Sequence, residues 1–275
     1  MDPGARFARL AQAGEGEVRL GEAALWIAAD EYPHLDLPAW LGRLDALGTV
    51  AARRITPAMD ADATAGVLNA LLFEEQGFRG NRQDYYDPRN SFLSDVLERR
   101  LGIPITLAVV YMEVGAAAGV TVRGVGLPGH FVVRLDRHGT ERVLDPFDGG
   151  ARLGEADCRA LLRRVYDADV PLDPAWLRPV STQQIVSRML ANLKGVYMSL
   201  GDWTRALRTV ERMLAVAPGA LGELRDRGTI RARLGDAHAA IRDWETYLVA
   251  APDAHDADRV RQNLRALRQA VAVLN

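Results

Sequence analysis

The sequence predicts an α+β chain that closes in helical repeats, and three observations carry this. Apolar residues recur at spacings of three and four through the first ~75 positions. After Gly119 the period switches to alternation, the signature of strands. Beyond residue 200, Gly201, Ala206 and Pro218 recur as Gly235, Ala240 and Pro252, each 34 positions later.

Taken in order, "VRLGEAALWIAADEY", "LDLPAWLGRLDALGTVAARR" and "ADATAGVLNALLFEEQGF" read as helices of an N-terminal region, 1–78. Asp36 suits an N-cap there and Pro38 a first turn. "RGNRQDYYDPRN" is a polar, turn-prone loop with two tyrosines. "SFLSDVLERRLG" follows as a helix, with Ser91 as the expected N-cap and Gly102 as its end. "IPITLAVVYMEVGAAAGV" is apolar throughout, a central buried helix opened by Pro104 and closed at Gly119. "VTVRGVGL", "HFVVRLD" and "ERVLDPF" then read as three strands with turns at "PG" and "DRHG". The core implied over 79–167 is an antiparallel sheet on a buried helix. Pro171, Pro174 and Pro179 mark 168–182 as a linker.

Residues 183–275 carry the repeats. "NLKGVYMSLGDWTRALRTVERMLAVAP" and "RDRGTIRARLGDAHAAIRDWETYLVAAP" each give a helix, a Gly-Asp turn and a second helix ending at proline, which is the tetratricopeptide period. Ala206 and Ala240 let paired helices approach closely, and "DADRVRQNLRALRQAVAVL" would cap the stack.

Composition excludes several functions. Of 275 residues, 48% are hydrophobic and 25% charged, the ordinary globular balance. A net charge of -2 offers no basic footprint for a nucleic acid or an anionic membrane, so neither is an expected partner. One cysteine, Cys158, permits no intrachain disulfide and fits a reducing compartment. No secretory signal or ~20-residue apolar span is read, and the expected location is cytoplasmic. The five histidines show no i, i+4 pair, so neither a metal nor a cofactor is expected.

The middle run, "LLFEEQGFRGNRQDYYDPRNSFLSDVLERRLGIPITLAVVYMEVGAAAGV", followed by "GVGLPGHFVVRL" and "LDPFDGG", resembles the SirB-type family. That resemblance implies a papain-like, transglutaminase-like core between N-terminal helices and tetratricopeptide repeats. In transglutaminase-like enzymes a cysteine opens the buried helix, a histidine begins one strand and an aspartate lies on the next. His130 and Asp145 match the last two. At the cysteine's place stand Pro104, Ile105 and, just beyond, Thr106, and Cys158 falls in a separate segment. Acyl transfer therefore cannot be carried over from true transglutaminases. The resemblance also brings the polar loop toward the sheet edge, where Asn81, Tyr85, Tyr86 and Asn90 would line the same cleft, unless the tyrosines only pack the loop.

His130 and Asp145 on adjacent strands read either as a base with its orienting acid or as a structural hydrogen bond. Thr106 reads as an attacking hydroxyl or as a side chain bonded back to its own first turn. Arg205, Arg208, Arg227 and Arg231, with Arg242, make either a basic partner-binding face on the repeats or a solvated surface. The expected function is a cytoplasmic protein-binding or regulatory module, its partner a protein or peptide held by the repeats, its oligomeric state open. The alternative is a hydrolase or acyltransferase on peptide or amide substrates, with Thr106 or water as attacker.

Overall fold

In the computed structural model, which describes residues 3–14 and 16–274, contacts divide the chain into two units. One comprises Ala13–Met189, and the other joins the first helix, α1 (Pro3–Gln12), to the chain from Leu190 onward. The N-terminal region is thus shared between units. Among the described residues, no helix is long and apolar enough to cross a membrane.

The core unit is built on the apolar helix. A helix with no polar face must be enclosed, and of the run from Pro104 to Gly115 only Met112 escapes full burial. This helix (Pro104–Ala117) ends before Gly119, whose φ of +73° suits glycine. Against it lie α2 (Leu20–Ala29), α3 (Leu37–Arg54) and α5 (Leu93–Arg99), with α4 (Ala61–Asn69) nearby, so the buried helix is α6. Close approach depends on small residues. A Cβ on Gly48 of α3 would fall 2.2 Å from that of Ala117, and one on Gly115 would fall 2.7 Å from the Val122 side chain.

α6 also packs on the antiparallel sheet β3 (Thr121–Val125), β4 (Val132–Arg137), β5 (Thr140–Asp145) and β6 (Ala151–Leu153), ordered as in sequence; the two-residue strands β1 (Arg79–Gly80) and β2 (Leu101–Gly102) pair in parallel beside it. The β4–β5 register sets Val133 opposite Leu144, with their side chains in the core. His138 and Gly139 turn this hairpin, both at positive φ. After β6 comes α7 (Glu155–Tyr166), which pins Cys158 and Leu162 into the core.

Asp36 caps α3 as expected, accepting from the Ala39 amide at 3.1 Å, with Pro38 in the first turn. Ser91 does not cap α5. The Asp87 carboxylate turns residues Pro88–Asn90 into a 3-10 turn that ends at Ser91, and α5 starts two residues later. That helix ends at the left-handed Arg100, and Gly102 belongs to β2 instead. The proline-rich stretch 168–182 is not a free linker, because Pro179 bridges to Val125 and the Val180 amide donates to Gly124 O at 3.0 Å.

In the repeat unit, the second half of α8 (Thr182–Ser199) and α9 (Trp203–Val216) form one hairpin, and α10 (Leu221–Arg233) and α11 (Ala237–Ala250) form the next; α12 (Ala257–Leu274) follows. Each Gly-Asp turn works in two steps. The glycine (Gly201, Gly235) takes a positive φ and the aspartate (Asp202, Asp236) caps the following helix by accepting from an amide three residues on. Ala206 and Ala240 are fully buried where the helices meet. Trp244, Tyr247, Val260 and Leu264 fill the core beyond.

Candidate functional site

His130 stands in the loop between β3 and β4, just after the turn at Pro128 and Gly129 and two residues before β4 begins. Gly129 has φ +67° and lies against Val165, so close that a Cβ there would meet its methyl at 2.3 Å. The loop is held from behind by Arg188 of α8, which donates to the carbonyls of Leu127 and His130, each at 2.7 Å, while its guanidinium lies 5.4 Å above the Phe131 ring. Burial pulls the pKa of Arg188 downward.

Asp145 ends β5, and its carboxylate is buried. One oxygen accepts from the Phe147 amide at 3.0 Å, and the other meets Nε2 of His130 at 2.8 Å. A carboxylate only accepts, so the proton of a neutral imidazole sits on Nε2 and Nδ1 keeps its lone pair. Nδ1 makes no hydrogen bond among the described residues and is not sealed from solvent. The pair is therefore oriented with its basic nitrogen free.

This imidazole opens onto a cavity of about 310 Å³. Phe147, edge-on to the imidazole, forms one wall, and Arg82 lies 4.8 Å over its ring while pairing with Asp148 at 2.9 Å. The opposite wall is one face of α7, where Asp157, Leu161, Arg164 and Val165 follow helical spacing. No lining residue carries a thiol or an aliphatic hydroxyl, and none precedes Arg82, so α2 to α4 do not contribute to the lining.

Family comparison agrees with this architecture. The model of the Transglutaminase-like superfamily matches residues 38–191. The chain belongs to this superfamily. A Tetratricopeptide repeat model matches residues 193–265. A UPF0162 protein of Xylella fastidiosa is 37% identical over 258 residues, covering 93% of this chain and 92% of that protein. A UPF0162 protein of Pseudomonas aeruginosa is 32% identical over 272 residues, covering 97% of each. F-box only protein 21 of Mus musculus is 32% identical over 142 residues, which span 49% of this chain and 21% of that protein.

In this member of the superfamily, several expected site residues lie elsewhere. The Thr106 hydroxyl is fully buried and donates to Asn90 O (2.8 Å) or Ile103 O (3.1 Å), while accepting from the Ile103 amide at 3.1 Å. It closes its own helix N-terminus and is no attacking group in this geometry. Asn81 and Asn90 bond to each other at 3.0 Å and to the loop backbone at Asp84 and Tyr85, so they shape the loop from inside and do not line the cavity. Tyr85 packs edge-on to Phe147 and to Tyr86, which is exposed; neither tyrosine lines the cavity. Cys158 is buried among Val125, Leu127 and Val132, where burial pushes its thiol pKa up, away from nucleophilic thiolate. Among the described residues no group of three His, Cys, Asp or Glu side chains is placed to hold a metal ion.

The repeat arginines are largely spoken for. Arg227 grips Asp243 with two nitrogens, at 2.9 and 2.7 Å, and Arg231 adds a third contact at 2.9 Å. Both arginines occupy the positions where the tetratricopeptide pattern places Leu and Tyr inside the hairpin. They form an internal ion cluster instead of a basic face. Arg205 pairs with Asp202 of its own turn at 2.7 Å, and Arg208 also has an interaction within the protein. Arg188, the α7 wall and Arg82 were not foreseen. Only the helical spacing of residues 157, 161, 164 and 165 carried a signal for them.

Proposed function

We propose that this chain is a protein-binding or regulatory module in which the transglutaminase-like core binds and does not transfer acyl groups. The observation that carries this reading is the formed His130–Asp145 pair facing a cavity without a thiol or aliphatic hydroxyl in its lining. A base oriented without a nucleophile can hold a ligand's donor group, but it lacks the atom that would take up the acyl group. The tetratricopeptide unit supplies a surface of the kind that takes peptides and partner helices. Its exposed apolar residues support contact there. Leu200 and Leu234 are 62% and 41% exposed, 34 positions apart, at equivalent points before each Gly-Asp turn.

The test is capture of partners by the full chain, by Leu200→Ser/Leu234→Ser and by His130→Ala, with retained proteins identified by mass spectrometry. A partner retained by the wild type and lost with the leucine pair supports the reading. Retention unaffected by the leucine pair, together with trimmed or cross-linked products that vanish in His130→Ala, contradicts it.

One observation favours the second reading, a hydrolase in which His130 activates water: its Nδ1 is free and reaches solvent. That reading requires product formation that depends on His130 and not on Thr106.

A further inference from the structure

We infer that the His130 cavity is a site for a small carboxylate with an apolar body, an inference that rests on the binding reading of the core and names its ligand class. The argument is an accounting of charge around one cavity. Three carboxylates line it, and each already has a partner. Asp145 is held by His130 and the Phe147 amide, and Asp148 by Arg82 at 2.9 Å. Asp157 accepts from the Gly154 amide at 2.8 Å in the first turn of α7, where the helix dipole favours an anion. Of the two cations in the lining, Arg82 is taken by Asp148, whereas Arg164 has no hydrogen bond or ion pair with any described residue. Its neighbour Arg163, by contrast, reaches Asp169 at 3.4 Å and does not line the cavity.

Arg164 is exposed and lines the same cavity as His130, and a guanidinium without a protein partner suits a planar anion. The fork of Arg164 matches a carboxylate bidentately. Nδ1 of His130 can contact the anion only in the imidazolium form, in which it donates while Asp145 holds the Nε2 proton on the other side. The rest of the wall is apolar, with Leu153, Leu161, Val165 and the Phe147 ring facing the same space. A volume of about 310 Å³ is at the small end of ligand sites, which sets the ligand at the size of a short aliphatic acid or a chain terminus bearing its carboxylate.

The test uses hexanoate, hexanamide and hexylamine as matched probes on the full-length protein, with affinities read by calorimetry. Hexanoate is expected to bind at least about tenfold tighter than either neutral or cationic analogue, since a charge-assisted contact is lost with each. Arg164→Gln is expected to lose about the same factor and Arg164→Lys to recover part of it, while Arg163→Gln binds as the wild type does. Equal affinity for the three probes, binding unaffected by Arg164→Gln, or no binding of hexanoate overturns the proposal. The same samples separate this from the non-catalytic reading. Conversion of hexanamide and water to hexanoate and ammonium, present in the wild type and absent in His130→Ala, refutes that reading while leaving the anion preference to be read from the affinities.

Discussion

Replacing Asp243 by Asn removes one negative charge that two arginines share, and the structure sets the size of the effect. The Asp243 side chain is 5% exposed and receives three contacts between 2.7 and 2.9 Å, whereas Arg227 and Arg231 are 23% and 20% exposed. Breaking a buried ion pair from one side costs about 3–5 kcal/mol, because the partner charge is left without compensation. Here the guanidiniums keep some access to water, and Glu211 stands 3.6 Å from Arg231, so the expected loss is about 2–4 kcal/mol. For a unit of this size, unfolding on its own, that corresponds to a drop of about 10 °C or more in Tm. Scanning calorimetry of the wild type and Asp243→Asn measures it, with the core unit's transition as internal reference. The triple change Arg227→Leu, Arg231→Tyr, Asp243→Ala, which restores the apolar pattern of the repeat, is expected to regain most of the loss. A shift below about 2 °C for Asp243→Asn would mean that the cluster is solvated and the repeat arginines are available to a partner after all.

Other outcomes follow from the same geometry. Asp145→Ala is expected to release the Nε2 proton preference of His130, seen as a change in imidazole ¹⁵N shifts at a pH where the ring is neutral, while Thr106→Val leaves those shifts unchanged. Gly48→Val drives a branched side chain into Ala117, where even a Cβ is too close, and should cost about 1–3 kcal/mol in denaturant unfolding; an effect below ~0.5 kcal/mol would mean α3 can retreat from α6. The Asp256 carboxyl is held at about 2, first by the hydrogen bond from Tyr247 and then by Arg225. A depressed pKa contributes stability that is present above the unfolded value near 4 and is lost as the pH falls toward 2. Asp256→Asn should therefore be less stable at neutral pH and show a shallower loss of stability between pH 4 and 2.

What the sequence made legible has a local cause. The alternation around "HFVVRL" and "RVLDPF" makes β4 and β5 neighbours, with His130 just before the start of one and Asp145 at the end of the other, and the family resemblance marked the same two residues. The Gly-Asp turns of the repeats were readable because a positive φ needs glycine and a helix start needs a cap. What escaped was long-range. Arg188 lies 61 and 58 positions from the two carbonyls it holds, and nothing in its neighbourhood marks those bonds. Arg227 and Arg231 carry charge where burial was required, and a pattern of residue types cannot tell a paired interior arginine from a solvated one. Thr106 was correctly identified as a residue at the head of the buried helix, yet its hydroxyl is consumed by the turn it opens. Ser91 failed as a cap because the Asp87 turn delays the helix by two residues. Residues 1–78 read as one N-terminal region, whereas Phe7 is buried and α1 packs on α9 in the repeat unit.

The measurement that bears most directly on the central claim is intact-mass and product analysis of the full-length protein incubated with activated acyl esters and peptide amides, in parallel with His130→Ala. The binding account predicts no acyl adduct on the protein and product levels that do not differ between the two. An adduct, or product formed by the wild type and abolished by His130→Ala, would contradict it and make the His130–Asp145 pair a catalytic site.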